Sequence, residues 1–200
     1  AWLHIARQDY AGAARHVEAG LAWAGRMENP LGRAETEAQL LTLSGIVSMV
    51  QLHLAQARGT LEAVLSRGEL LGKPRLQLGA MYNLAQVAGN LARWDDVAAW
   101  GERMRALASA IGVRADVAAG QLRLAEAAAA LGDTGAAMRW HAQNLVIQRA
   151  IGGRRDEAIA LRFLGELQLE QGDLHTALQS CTQGLAIHTT ETRLAAHRLK

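Results

Sequence analysis

Small residues recur every forty positions along this 200-residue chain, and this period constrains the fold more than any other feature. One column holds a small side chain in the middle of each predicted first helix, at Gly45, Ala85, Ala125 and Gly165. A second column with the same spacing contains Ala57, Val97, Ala137 and Ala177. Because two separate columns agree on one period, the chain consists of repeats, which must stack on one another to bury a shared core.

Turn signals follow the same period. Glycine preceded by a large apolar residue is predicted to form the turn between repeats, at Leu31-Gly32, Leu71-Gly72, Ile111-Gly112 and Ile151-Gly152. Inside the last two repeats the turn is Gly132-Asp133 and Gly172-Asp173, where glycine suits a left-handed backbone and aspartate can cap the next helix. The equivalent joint Leu52-His53-Leu54 lacks both residues and is the least regular of the predicted turns.

Composition indicates that the repeats are helical. The chain has two prolines, Pro30 and Pro74, and no runs of valine, isoleucine and threonine of the kind that form strands. Half of the residues are apolar but only 4% are aromatic, so leucine and alanine must supply the core. The sequence therefore predicts an all-α fold.

Each repeat is predicted to contain two helices. The later pairs are expected at residues 34–53 and 55–71, 75–91 and 94–111, 114–131 and 134–151, and 154–171 and 174–189. Residues 1–7 look like the tail of a helix, followed by a turn at 8–10 and a helix about one turn longer than its successors. A strict period would instead place that turn at Gly12.

One continuous domain is expected over 1–200. Its repeats span approximately 1–31, 32–71, 72–111, 112–151 and 152–189, and 190–200 (ETRLAAHRLK from Glu191) starts a further helix. The chain begins inside a helix without methionine and stops inside another helix. It is therefore expected to be a piece of a longer protein.

The clearest repeat is Leu161–Leu185. In it Gly165 leaves a notch for a neighbouring helix, while the apolar face of the second helix is predicted to comprise Leu174, Ala177, Leu178 and Cys181. Cys181 is the only cysteine, so the chain has no internal disulfide and fits a reducing compartment. Its position on that face predicts a small core residue.

The motif LGxxxxxxGDxxxAL at Leu164–Leu178 resembles tetratricopeptide (TPR) repeats, as does the weaker copy at Leu124–Ala137. The usual TPR period is 34 residues; lengthened repeats like these are similar to those of MalT-like and Rap-type bacterial regulators and of kinesin light chains. The resemblance implies an α-solenoid of antiparallel helix pairs, a right-handed superhelix of about five repeats. The aromatic that the family often carries late in the first helix is replaced here by Ser48, Ala88, Ala128 and Gln168.

The resemblance also implies a concave groove lined by the first helices, where such proteins hold peptides or partner segments. Mapped onto this chain, the candidate binding residues are Tyr82, Asn83, Gln86, Asn90, Arg123, Glu126, Arg162, Phe163, Glu166 and Glu170, with Thr42, Ile46, Met49 and Leu122 beside them. Asn83 matches an asparagine that related repeats use to hold a peptide backbone, since an amide both donates and accepts hydrogen bonds.

A solvated surface is the alternative interpretation of these residues. Arg162 and Glu166 are four residues apart and Arg123 and Glu126 three apart, so each arginine can pair with its own helix neighbour.

Other classes of function have little support in the sequence. A net charge of +2 does not indicate a nucleic-acid surface, and no apolar run is long enough to span a membrane. The seven histidines show no metal-binding spacing, and no nucleophile is accompanied by a base. We therefore expect no catalytic residues, no metal and no cofactor.

The sequence thus predicts a non-enzymatic, cytoplasmic protein- or peptide-binding module, expected to be the regulatory or sensor region of a larger bacterial signalling protein or transcriptional regulator. The alternative is a structural module that self-associates into homo-oligomers or spaces neighbouring domains.

Overall fold

The structure is a computed structural model that describes residues 7 and 9–198, with side chains up to residue 190. Over these residues the chain forms nine α-helices and no strand, as the composition predicts. The helices are α1 (Tyr10–Ala24), α2 (Pro30–Val50), α3 (Leu54–Leu70), α4 (Pro74–Asn90), α5 (Trp94–Ala110), α6 (Arg114–Ala130), α7 (Thr134–Ile151), α8 (Arg154–Glu170) and α9 (Leu174–Arg198). The fold is an all-α helical repeat solenoid. Its contacts divide it into two compact units, residues 1–100 and 101–200.

Left-handed residues end most of the helices, because a residue with positive φ lets the backbone close the last turn and leave the helix. Between repeats these residues are Gly72, Gly112 and Gly152, and within the last two pairs they are Gly132 and Gly172. The equivalent positions of the two preceding pairs hold Leu52 at φ 62° and Ala92 at φ 53°. Those two joints have the same backbone geometry without glycine, which is why the turn at Leu52-His53-Leu54 was the least regular in the sequence.

Aspartate caps the helices that follow Gly-Asp joints. Asp133 accepts a hydrogen bond from the backbone N–H of Ala136 at 2.7 Å, and Asp173 accepts one from Thr176 at 3.1 Å. The same geometry at Asp9, which accepts from Gly12 at 2.8 Å, places the first joint. Capping satisfies N–H groups that have no partner inside the helix.

The two helices of a pair approach one another closely at the small-residue column. A Cβ on Gly45 of α2 would lie 2.8 Å from Cγ of Leu61 on α3. A Cβ on Gly165 of α8 would meet Sγ of Cys181 and, at 3.3 Å, the carbonyl oxygen of Ala177 on α9. Glycine is needed at both positions since the facing helix occupies the space of a side chain. The predicted notch at Gly165 is confirmed.

The core consists mainly of small and aliphatic side chains. In the first unit Leu61, Val64 and Val87 are almost completely buried. Two residues of the second small-residue column, Ala57 in the first unit and Ala137 in the second, are fully buried. Because these side chains are small, neighbouring helices can pack at short distances. The chain has few aromatic residues that could fill wider gaps.

Three expectations about element boundaries were wrong. The predicted turn at Leu31-Gly32 lies inside α2, which starts earlier because Asn29 caps it and Pro30 occupies its first turn. Helix α1 has 15 residues and is shorter than α3, which has 17, so it is not one turn longer than its successors. Helix α9 continues to Arg198 without the predicted break near 190, where two threonines supply no helix-ending signal.

The predicted burial of Cys181 was also wrong. Ala177 is buried on α9, but Cys181 is exposed, and so are Leu174 and Leu178 of the same predicted apolar face. Among the described helices, α9 packs on α8, which covers only part of the apolar surface of α9. The predictions for residues 1–6, Gln8 and residues 199–200 lie outside the described part of the chain.

Candidate functional site

Four side chains of the second unit form a cluster where α7 meets α8, and we call it the His141 cluster: His141, Arg162, Phe163 and Glu166. The rings of His141 and Phe163 are stacked, with centroids 5.0 Å apart and planes at 13°. The guanidinium carbon of Arg162 lies 4.0 Å from the centroid of the Phe163 ring. The ring of Phe163 is therefore held by an imidazole and a cation, an arrangement that fixes its orientation.

His141 is the buried base of this cluster. The residue is 2% exposed, and its pKa is lowered to about 4. Burial is the main cause and the positive charge of Arg162 adds to it, whereas the carboxylate of Glu166 acts in the opposite direction. His141 is thus neutral at physiological pH and acts as an aromatic surface under Phe163.

Ion pairs join four of the charged candidate residues. Arg162 Nη1 lies 2.5 Å from Glu166 Oε1 on an exposed part of α8, and Arg123 Nη1 lies 2.8 Å from Glu126 Oε2 on α6. Burial raises the pKa of the Glu126 carboxyl, although the charge of Arg123 counteracts it. Both pairings are those that the i,i+4 and i,i+3 spacings predicted under the alternative, solvated interpretation.

In the first unit the candidate residues of α4 differ in accessibility. Asn83 is buried, and its amide nitrogen donates to the carbonyl of Gly79 in the same helix at 2.8 Å. Tyr82 and Gln86 are half-buried and Asn90 is exposed. The assignment of this set to a peptide site stays a prediction. One hydrogen bond of the Asn83 amide is already made within its own helix.

The remaining groove candidates are divided between surface and core. Glu170 is exposed and Leu122 half-buried, whereas Met49, with 8% exposure, belongs to the core. Thr42 donates its hydroxyl hydrogen to the carbonyl of Ala38 at 2.9 Å, a bond within α2. Gln168, at the place of the family aromatic, bonds to Ser180 of α9.

Two residues of this region were missed by the sequence reasoning. Glu157 is 4% exposed, and its carboxylate binds Arg149 of α7 at 3.0 Å and Arg154 at 2.8 Å. His141 lies forty positions after Gly101 and forty before Cys181, in a column that also contains Leu61. That column was the signal that could have identified His141 as a packing position.

The described residues contain neither a metal-binding cluster nor a membrane-spanning helix. Within residues 7 and 9–190, no group of three or more histidine, cysteine, aspartate or glutamate side chains is arranged to hold a metal ion. In the same part of the chain no helix combines the length and the apolar character needed to cross a membrane.

Solved structures provide the comparison that decides the fold. BtubC (BKLC) from P. vanneervenii superposes with a TM-score of 0.81 at 15% identity, covering 95% of this chain and 77% of that one. A putative kinesin light chain from Podosopora anserina with nearly identical TPR-like repeats gives 0.66 at 16% identity over 94% of this chain and 96% of that one. The chain has a TPR-like fold.

The sequence comparisons add no closer relationship. No protein-family model matches the chain, and no curated protein matches it. A second structure of the Podosopora anserina repeats gives a TM-score of 0.63 at 16% identity over 94% of this chain. At these identities the likeness establishes the TPR-like architecture alone, because a fold by itself does not specify a function.

Proposed function

We propose that this chain is a protein- or peptide-binding TPR-like module, and that it forms the regulatory or sensor region of a larger bacterial signalling protein or transcriptional regulator in the cytoplasm. Its partner is an extended segment that the first helices bind in the concave groove expected of such repeats. Binding is non-enzymatic and needs no cofactor.

The observation that carries this proposal is the His141 cluster. Phe163 is half-buried, so part of the residue stays accessible while His141 stacks against its ring. Arg162 and Glu166 are about half exposed and bring one charge of each sign beside the ring. Aromatic and arginine side chains dominate the binding energy of protein interfaces, particularly where they are already ordered before binding.

A solvated ion pair explains Arg162 and Glu166 without a ligand, but it does not explain an aromatic ring that contacts both a buried imidazole and a guanidinium. We therefore assign Phe163 as the anchor and the two charged residues as the groups that orient a partner. Arg123 and Glu126 extend the same kind of surface on α6. In the first unit Tyr82, Gln86 and Asn90 contribute more than Asn83, whose amide is partly engaged with Gly79.

The experiment is a selection from a random peptide display library, followed by titration calorimetry of the selected peptides. Phe163→Ala is expected to weaken binding by about tenfold or more, equivalent to ~1.4 kcal/mol. The double variant Asn83→Ala/Arg123→Ala is expected to weaken it measurably. Arg155→Ala is the matched control, because Arg155 is an exposed arginine of the same helix α8 outside the cluster.

Selected peptides that bind wild type and Phe163→Ala with equal affinity would move the site away from the cluster. Circular dichroism of each variant separates loss of binding from loss of fold.

A structural role in self-association is the second candidate function. One observation favours it: Leu174 and Leu178 of α9 are exposed, and neither is a groove candidate.

A further inference from the structure

The candidate binding residues of the second unit carry an excess of negative charge. Three of them are glutamates, Glu126, Glu166 and Glu170, whereas two are arginines, Arg123 and Arg162. The whole chain, in contrast, has a net charge of +2. The acidic excess is therefore a local property of this surface and does not follow from the composition of the protein.

Both arginines are already engaged by contacts within their own helices. The guanidinium of Arg162 lies over the ring of Phe163 and pairs with Glu166. The side chain of Arg123 is 12% exposed and pairs with Glu126, whose side chain is 30% exposed. Burial raises the pKa of the Glu126 carboxyl although Arg123 is its neighbour. One guanidinium therefore does not offset the cost of burying this carboxylate, and a further positive charge would stabilise it.

Glu170 adds a negative charge that has no counterpart in the described part of the chain. It is the last residue of α8, it is exposed, and it belongs to no ion pair among the described residues. A carboxylate is unfavourable at this end of a helix, where the helix dipole is also negative, and Glu166 carries the same charge one turn away. Helix stability alone would favour a cation at this position, so a positive group of a partner would relieve both repulsions.

The carboxylates lie beside the aromatic anchor. Phe163, Glu166 and Glu170 follow one another at steps of three and four along α8, so they share one face of the helix. Glu126 occupies the same position as Glu166 in the preceding repeat, forty residues earlier. The rise of an α-helix places Glu170 about 10 Å beyond Phe163, which is the length of about three residues of an extended chain.

We propose that the partner of the His141 cluster is a basic extended segment, in which an apolar residue packs against Phe163 and an arginine or lysine about three residues away binds Glu166 and Glu170. This inference rests on the proposed function, because it names the chemistry of the segment that the same site binds. Neutral and acidic segments bind more weakly, since they leave these carboxylates without a counter-charge.

Synthetic peptide pools provide the test. All pools have a central leucine among randomised uncharged residues, and they carry arginine, glutamine or glutamate three positions away on either side. Fluorescence anisotropy with the 200-residue chain should show that the arginine pool binds about five- to tenfold more tightly than the glutamine pool. The glutamate pool should bind most weakly, and Phe163→Ala should weaken the binding of every pool.

Charge variants of α8 separate local recognition from general electrostatic attraction. Glu166→Gln/Glu170→Gln should reduce the preference for arginine to about twofold or less, with unchanged helical circular dichroism. Asp156→Asn is the matched control, because Asp156 is an exposed carboxylate of the same helix outside the cluster. This control should keep the full preference for arginine.

The outcomes distinguish this proposal from the proposed function. Binding that depends on Phe163 but shows no preference for arginine, or prefers glutamate, overturns the basic segment and leaves the peptide site in place. A preference that Asp156→Asn reduces as much as Glu166→Gln/Glu170→Gln overturns it as well. If no pool binds, or if wild type and Phe163→Ala bind equally, the proposed site is wrong and the basic segment with it.

Discussion

Gly165 of α8 lies directly against Cys181 of α9, so that a Cβ at position 165 would collide with Sγ of the cysteine. The same Cβ would be 3.4 Å from the backbone nitrogen of Cys181, which cannot move without displacing α9. This contact sets the separation of the two helices of the fifth repeat.

Gly165→Leu is expected to lower the free energy of unfolding by ~1–3 kcal/mol, because the added side chain overpacks this contact. Chemical denaturation followed by circular dichroism measures the change. Gly59→Ala is the matched control: Gly59 is helical, and a Cβ there meets nothing within 4 Å. It should gain up to ~1 kcal/mol from helix propensity. An unchanged melting temperature for Gly165→Leu would contradict the α8–α9 pairing.

The left-handed backbone of Ala92 predicts a stabilising substitution. A non-glycine residue with positive φ costs roughly 1–2 kcal/mol, and glycine removes this cost while increasing the entropy of the unfolded chain. Ala92→Gly should therefore raise stability by ~0.5–1 kcal/mol in urea unfolding. Ala98→Gly, in the interior of the following helix α5, should lower it by a similar amount. Destabilisation by Ala92→Gly would show that the joint does not adopt this geometry.

Buried Glu157 predicts a stability loss that is larger than that of a surface ion pair. Glu157→Gln retains the shape of the side chain but removes the charge that binds Arg149 and Arg154, with an expected cost of ~1–3 kcal/mol. Glu62→Gln breaks the exposed pair with Arg58, and it should change stability by less than ~0.5 kcal/mol. If denaturant unfolding shows equal losses of stability for the two substitutions, the buried ion pairs of Glu157 stabilise the fold no more than an exposed pair does.

His141 predicts a loss of stability in mild acid. The folded-state pKa of about 4 lies below the usual value of 6.5, so the unfolded chain binds more protons between these two pH values. The contribution of the neutral imidazole is complete above pH 6.5 and declines as pH falls towards 4. The stability lost from this source between about pH 7 and pH 5 is ~2 kcal/mol.

His141→Leu tests this dependence, since leucine occupies the equivalent buried position at Leu61. Urea unfolding at about pH 7 and about pH 5 should show a smaller difference for His141→Leu than for wild type. His175→Gln is the control, because His175 is exposed on α9. If His141→Leu and wild type lose equal stability between these pH values, another group is responsible.

The period explains why most of the fold could be predicted. Helix formation and helix ends depend on neighbouring residues, so Gly-Asp joints such as Gly132-Asp133 give the boundaries of α6 and α7 to within a residue. The prediction failed at Leu31-Gly32, where the Asn29 cap and Pro30 act earlier in the chain than the period suggested.

The candidate site could be predicted only in part. The pairs Arg162–Glu166 and Arg123–Glu126 are both present, since each joins residues one helical turn apart. The contact of Phe163 with His141 joins residues from different helices, so no pattern of neighbouring residues predicts it. The role of Phe163 in binding stays a prediction.

By itself the sequence determined the helical repeat, its forty-residue period and the positions where helices pack closely, because these depend on local propensity and on spacing along the chain. The tertiary structure decided which face of each helix is covered. Leu61 and Cys181 occupy the same column, yet one is fully buried and the other exposed. Burial depends on whether a further helix packs against the face, and this is a property of the assembled helices.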